Sequence, residues 1–382
     1  MMRNRFALLS AGAAVALIAG VWLTMHRHGQ QSAEPGGKVF TDLAPALAEI
    51  GEIRLSKGDG SRTTLRKEPS GWTVVERHYP ADPARVRELV LHMVELKVIE
   101  PKTSDPANYA RLGVEAPDKP SAASTLVELV AGDKTWSLLV GRNAEGRSIY
   151  VRKPQEAVSA LAEPALSVDP DQKRWIDREL TDIPGASVHD IAVQPADGPD
   201  YLLSRAQRGD ADLELSPVPK GRKPASSMSI NGQADTLAGF HFDDLHTPSG
   251  TPPKTVDRAT YRTFDGQVFE FTGHKDGDKA YVAVTASRDP ELAAQFAEPQ
   301  EANDKPADKP ADAKPAAGAD TAKPSAAPAK AAAPPADHTV ERVAARAKGI
   351  EYEIPMYKYD ALFKPLEELL EKKPQPAAKS KK

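Results

Sequence analysis

Val188-His189-Asp190-Ile191-Ala192-Val193 repeats the apolar–polar alternation of Ile50-Gly51-Glu52-Ile53-Arg54-Leu55, and the stretches after the two hexapeptides are alike. Alternation with a period of two puts every second side chain on one face, as in a half-buried strand. After the first hexapeptide come Lys57-Gly58-Asp59-Gly60, Thr63–Arg66, Pro69-Ser70-Gly71 and Trp72–Glu76, which predict short strands joined by tight turns. After the second, Tyr201–Ser204 and Leu213–Ser216 stand at the corresponding places. The spacing therefore predicts one antiparallel meander laid down twice, although alternation is generic and two unrelated meanders would share part of it.

A helix follows the first meander. Asp82 is a good N-cap, Pro83 suits the first helical position, and Val86, Leu89, Val90, Met93 and Leu96 recur at helical spacing up to a stop at Pro101. Strands return at Thr125–Val130, Thr135–Val140 and Ser148–Arg152, with a turn at Ala131-Gly132-Asp133. Gln155–Ala162 and Asp171–Leu180 read as two short helical stretches. In the second copy Asn231–Leu245 holds the helix's place through Leu237, Phe240 and Leu245, with a weaker pattern. Ala259–Phe264, the turn Asp265-Gly266, Val268–Thr272 and Ala280–Ala286 repeat the strand block. The expected fold class is α+β: tandem duplicated modules of antiparallel meander sheet plus helix, over 45–180 and 185–371.

The second module is interrupted. From 289 to 338 the composition narrows to Ala, Pro, Lys, Asp and Glu, too little apolar surface to offset the entropy of ordering. A tolerated, disordered loop insertion is expected there, dividing the module into 185–288 and 339–371 and leaving a basic tail at 372–382. At the other end, Phe6–Met25 is apolar and uncharged, long enough as a helix to cross a bilayer, with Arg3 and Arg5 before it and His26-Arg27-His28 after it. An uncleaved membrane anchor over 1–28, followed by a tether over 29–44, is preferred to a cleaved signal peptide, whose apolar stretch is shorter and ends in a small-x-small step. The expected address is the inner membrane, single-pass, with the bulk of the chain periplasmic.

The chain has no cysteine among its 382 residues, which excludes disulfides, thiolate metal sites, thiol nucleophiles and a lipid-modified cysteine. A net charge of -4, spread over both signs, gives no basic footprint for nucleic acid. The best chemical cluster is His241-Phe242-Asp243-Asp244-Leu245-His246, but its histidines are five positions apart, where a shared helical face requires three or four. A polar surface around Phe242 and Leu245 is the expected reading. Asp169-Pro170-Asp171 and Asp276-Gly277-Asp278 read as an N-cap region and a hairpin turn rather than calcium loops. His78 with Glu76 and His92 with Glu95 are weak acid–base pairs, and Trp72, Trp136 and Trp175 are expected in the core. The nucleophile-elbow, zincin, P-loop and dinucleotide-binding motifs are missing. No catalytic, cofactor-binding or metal-ligating residue is therefore assigned, no cofactor is expected, and the chain reads as a non-enzyme.

Several short motifs together resemble domain-of-unknown-function family 4340. They are Gly71-Trp72, Ala81-Asp82 opening the helix, Tyr109-Ala110-Arg111-Leu112-Gly113 with Pro117, and Leu139-Val140-Gly141. Ile149-Tyr150-Val151-Arg152, the connector Arg174-Trp175-Ile176-Asp177-Arg178-Glu179-Leu180 and the closing Gly349-Ile350-Glu351-Tyr352-Glu353-Ile354-Pro355 with Tyr357-Lys358 complete the set. The resemblance implies a tandem α+β repeat behind one membrane helix, in a setting beside gliding-type ABC transporter systems. It carries over no catalytic residue. The expected function is a membrane-anchored periplasmic binding or accessory protein, with ABC-type transporter subunits as partners. The alternatives are a cell-wall or polysaccharide-binding scaffold and an enzyme with a scattered carboxylate site.

Overall fold

The computed structural model describes residues 34–248, 253–297 and 339–372. Phe6–Met25, the first part of the tether, most of the expected insertion (298–338) and the tail from 373 onward lie outside the described residues. Among the described residues no helix is long and apolar enough to cross a membrane. The chain divides into two compact units, Met1–Arg178 and Glu179–Lys382.

The first unit is built on β1 (Glu52–Lys57), β2 (Arg62–Glu68), β3 (Gly71–Val74), β4 (Tyr79–Pro80), β5 (Lys97–Pro101), β6 (Thr125–Ala131), β7 (Lys134–Asn143), β8 (Ile149–Arg152) and β9 (Ser159–Glu163). They lie in the order β4-β3-β2-β1-β6-β7-β8-β9-β5, every neighbouring pair antiparallel. The alternation read from the sequence sets its two faces. Ile53, Leu55, Leu65, Val127, Leu129 and Trp136 are buried, whereas Glu52, Arg54, Thr64 and Arg66 face the other way and meet across the ladder.

The Pro83–Glu95 helix starts where expected, because the Asp82 carboxylate accepts from the Ala84 and Arg85 amides. It buries Val86, Leu89, Met93 and Val94. It ends at Glu95, not at Pro101. Residues 97–101 form β5 instead, paired with β9 on one side, and Val98 exchanges hydrogen bonds with Gly36 and Gly37 on the other. Gln155–Ala162 is likewise not a helix. Its alanines favour one, but Ser159–Glu163 lies between β8 and β5 in the sheet, and a helix there would leave both ladders unpaired. In Asp171–Leu180 only the turn Gln172–Arg174 is helical. The chain then runs beside β4, where the Asp82 amide donates to Trp175 O and the Asp177 amide to Pro80 O. Trp72–Glu76 is strand only to Val74; Val75–Arg77 is a 3-10 turn.

The second unit contains β10 (Glu179–Thr181), β11 (Val188–Gln194), β12 (Tyr201–Ser204), β13 (Glu214–Ser216), β14 (Phe240–His241), β15 (Asp244–His246), β16 (Asp257–Thr263), β17 (Gln267–Asp276), β18 (Lys279–Arg288) and β19 (Glu351–Ile354). Its main sheet is ordered β13-β12-β11-β16-β17-β18-β19-β15, and β10 pairs with β14. Set against β3-β2-β1-β6-β7-β8-β9-β5 of the first unit, the chain visits the eight places in the same sequence. Only β4 has no counterpart in that sheet.

The long helix expected over Asn231–Leu245 is absent. Ser227–Asn231 is one short helix, Ala234–Leu237 a 3-10 turn, and β14 and β15 come next. Gly239 with φ +52 breaks the run, and Phe240 and Phe242, two apart, are both buried, which is strand spacing. The expected insertion also starts too early, at 289. The Asp289 carboxylate accepts from the Glu291 and Leu292 amides and caps a helix at Pro290–Gln295. Where the chain resumes, the Thr339–Ala347 helix buries Val340, Val343 and Ala347, and its Glu341 pairs with Arg288 at 2.8 and 3.2 Å.

Candidate functional site

A wide recess of the second unit has a volume of about 750 Å³ and opens where β16 begins, β17 ends and the Met356–Leu362 helix passes. Gly273 allows this arrangement. A Cβ there would press into the Phe363 ring and stand 2.8 Å from the Tyr359 ring, so only glycine lets both rings lie on the strand. The rings pack with centroids 4.7 Å apart.

Tyr359 donates to Asp257 Oδ2 at 2.5 Å, and Asp257 Oδ1 accepts from the Ala196 amide at 2.6 Å. Burial pushes the Tyr359 phenol up, and the bond to Asp257 with the charges of Asp257 and Asp360 pushes it further, so it stays a donor. Lys275 Nζ lies 2.8 Å from Asp360 and 5.0 Å from the centre of the Tyr359 ring. Asp197, Asp257, Asp360 and Glu368 outnumber Lys254 and Lys275 on the walls. These hydrogen bonds fix the side chains in place. The chemistry offered is that of a polar, net acidic cradle with two aromatic rings in its wall.

The sequence candidates fall elsewhere. In 241–246, Phe242 and Leu245 are buried, His241 Nδ1 bonds Gly239 O at 2.7 Å, and His246 Nε2 reaches Glu351 at 3.2 Å. Glu351 also meets His274 Nδ1 at 3.2 Å, a cross-strand bracket that no sequence spacing foretold. Among the described residues no group of three or more His, Cys, Asp and Glu is disposed to hold a metal ion. Asp169 accepts from the Asp171 amide and Asp171 from the Lys173 amide, the capping geometry expected. Gly277, with φ +61, sits in the turn between β17 and β18, between Asp276 and Asp278.

Glu76 accepts from the Thr64 amide, and His78 is exposed in the left-handed region. His92 and Glu95 share a recess of about 440 Å³ in the first unit with Lys38, Lys97, Arg147 and Glu163. Trp136 and Trp175 are buried, their indoles donating to Asp42 and to Asp169 O. Trp72 is half-buried.

The sequence reading missed a cluster in β11. Asp190, with its side chain 7% exposed, bonds His189 Nδ1 at 2.7 Å and accepts from Arg262 at 2.9 Å. Neighbours in a strand normally point to opposite faces. Here the register with β16 shifts between Val188 and Asp190, and the irregularity brings the two side chains together.

Residues 72–259 match the family model described as Domain of unknown function (DUF4340). The match supports the DUF4340 family. It runs from within β3 into the first residues of β16 and so takes in parts of both units. Of the motifs that resembled DUF4340 in the sequence, those between Trp72 and Val193 fall inside the matched span; the closing Gly349–Lys358 motif lies beyond it. No curated protein and no solved structure matches the chain.

Proposed function

We propose that this chain is a non-catalytic binding protein of the cell envelope, made of two duplicated α+β modules and anchored in the inner membrane by Phe6–Met25. It serves as an accessory to an ABC-type transporter complex, with the bulk of the chain in the periplasm. The observation that carries the binding reading is the wide recess of the second unit. Its polar side chains are fixed to one another, Tyr359 to Asp257 and Lys275 to Asp360, so the cradle is formed before a partner arrives. The same-order sheets support duplication, and the DUF4340 match supports the family; the transporter partner is taken from what the sequence resemblance implies.

A second reading, an envelope polysaccharide scaffold, draws on the same recess. Its carboxylates, Lys254 and Lys275 offer acceptors and donors that suit a hydroxyl-rich chain.

The test is capture from mild detergent with the full-length tagged chain, beside a chain lacking residues 1–28. ABC-transporter subunits are expected with the anchored form, well above background, and are expected to be lost with Asp257→Lys. If neither form captures transporter subunits reproducibly, the accessory reading is overturned. Saturable binding of an envelope glycan by the same protein would then favour the scaffold.

A further inference from the structure

A separate recess of the second unit, about 360 Å³, opens beside the β11 cluster. Arg205, next after the end of β12, lines it while being only 6% exposed. Its Nη1 donates to Gly185 O and to Val188 O, each at 2.7 Å, which fixes the guanidinium plane. Its Nε is buried and meets no acceptor among the described residues. A buried donor left without an acceptor costs about 1–3 kcal/mol, more when it is charged. The Arg342 Nε is in the same position, but of the two arginines it is Arg205 that lines the recess.

The charges around it make the omission specific. Asp190 is already shared between His189 and Arg262, and Glu214 is exposed. Burial pulls the Arg205 guanidinium down, and Asp235, Asp210 and Asp212 oppose this only through space. By contrast Arg152, the buried arginine of the first unit, directs its Nε to Val114 O and its Nη1 to Pro154 O and Glu156 O. Arg262, held by Asp190 but with 41% of its side chain exposed, offers further donors to the same recess. Leu202 and Phe296 supply apolar wall, and the Phe296 ring packs 4.8 Å from His189.

We propose that this recess is a binding site for a compact oxyanion, a carboxylate or phosphate group, held between Arg205 and Arg262. A guanidinium presents N–H groups in a planar fork that matches two oxygens of such an anion. His189, oriented by Asp190, forms the third side. The site is independent of the acidic recess at Tyr359.

The test is equilibrium dialysis of the full-length chain in mild detergent against radiolabelled inorganic phosphate and, separately, acetate. One saturable site per chain is expected for at least one of them. The tighter probe identifies the source: phosphate for a phosphorylated ligand, acetate for a carboxylic acid. Arg262→Ala and Arg205→Lys are each expected to weaken binding about ten-fold or more, the loss of one charge-assisted contact. Arg54→Ala, in the other unit, is expected to leave it unchanged. Should Arg205→Lys lose its cooperative melt, Arg262→Ala decides alone. Absence of saturable binding of either probe up to about 20 mM, or equal binding by Arg262→Ala, overturns the proposal.

Discussion

Tyr359 and Asp257 come from segments far apart in the chain, and their hydrogen bond joins the Met356–Leu362 helix to the first residue of β16. Tyr359 is 2% exposed, so water is a poor substitute for either partner. Tyr359→Phe is expected to cost about 1.5–3 kcal/mol, the range for a hydrogen bond to a charged group. Hydrogen-exchange mass spectrometry would read it as lost protection across 356–362. Unchanged exchange there would mean that the bond adds nothing to local stability.

Gly273→Ala tests the same contact from the strand side. Phe363 and Tyr359 must both retreat from the added methyl, at a cost of about 1–3 kcal/mol for overpacking. Gly51→Ala is the comparison, because nothing lies within 4 Å of its Cβ position; it is expected to stay within about 0.5 kcal/mol of the parent. Equal melting temperatures for the two variants would contradict the close approach.

Asp82→Ala removes the acceptor for the Ala84 and Arg85 amides and is expected to cost about 1 kcal/mol. The accompanying pair with Arg85 is exposed and adds little. Asp82→Asn should retain most of the stability in a thermal melt, which separates capping from charge.

Glu52 gives the first unit an acid-sensitive element. Burial alone would raise its carboxyl, but hydrogen bonds and charge from Arg54 and Arg66 outweigh it and hold the group below its ordinary 4.5. A lowered folded-state value means that the carboxylate contributes stability above the ordinary value and loses it as pH falls through the folded one. The stability of the first unit is therefore expected to decline below pH 4.5, with a shallower decline in Glu52→Gln. Identical acid titrations of the two proteins, followed by first-unit amide protection, would remove Glu52 from that account.

Local elements were legible and remote pairings were not. The hairpins of β1 with β2 and of β17 with β18 form between neighbouring stretches, so alternation and a turn suffice to announce them. The helix start at Asp82 depends on amides two and three residues away. β5 and β9 are different, because Lys97 pairs with Glu163 and no short window contains both. The alanines of β9 favour helix by propensity, and the ladder overrides them. The recess at Tyr359 draws on four separate segments, and the pairing of His189 with Asp190 depends on a register shift that leaves no trace in residue type.

Strand β19 sits in the interior of its sheet, with β18 on one side and β15 on the other, yet it reaches that place only after the 298–338 stretch. Both edges that receive it belong to chain made earlier. The gene could therefore be divided within that stretch and translated as two polypeptides. The longer would carry a slot one strand wide, and the shorter the strand that fills it, with the Arg288–Glu341 pair closing the joint. In such a pair the two ladders of β19, rather than a covalent link, would hold the pieces in register.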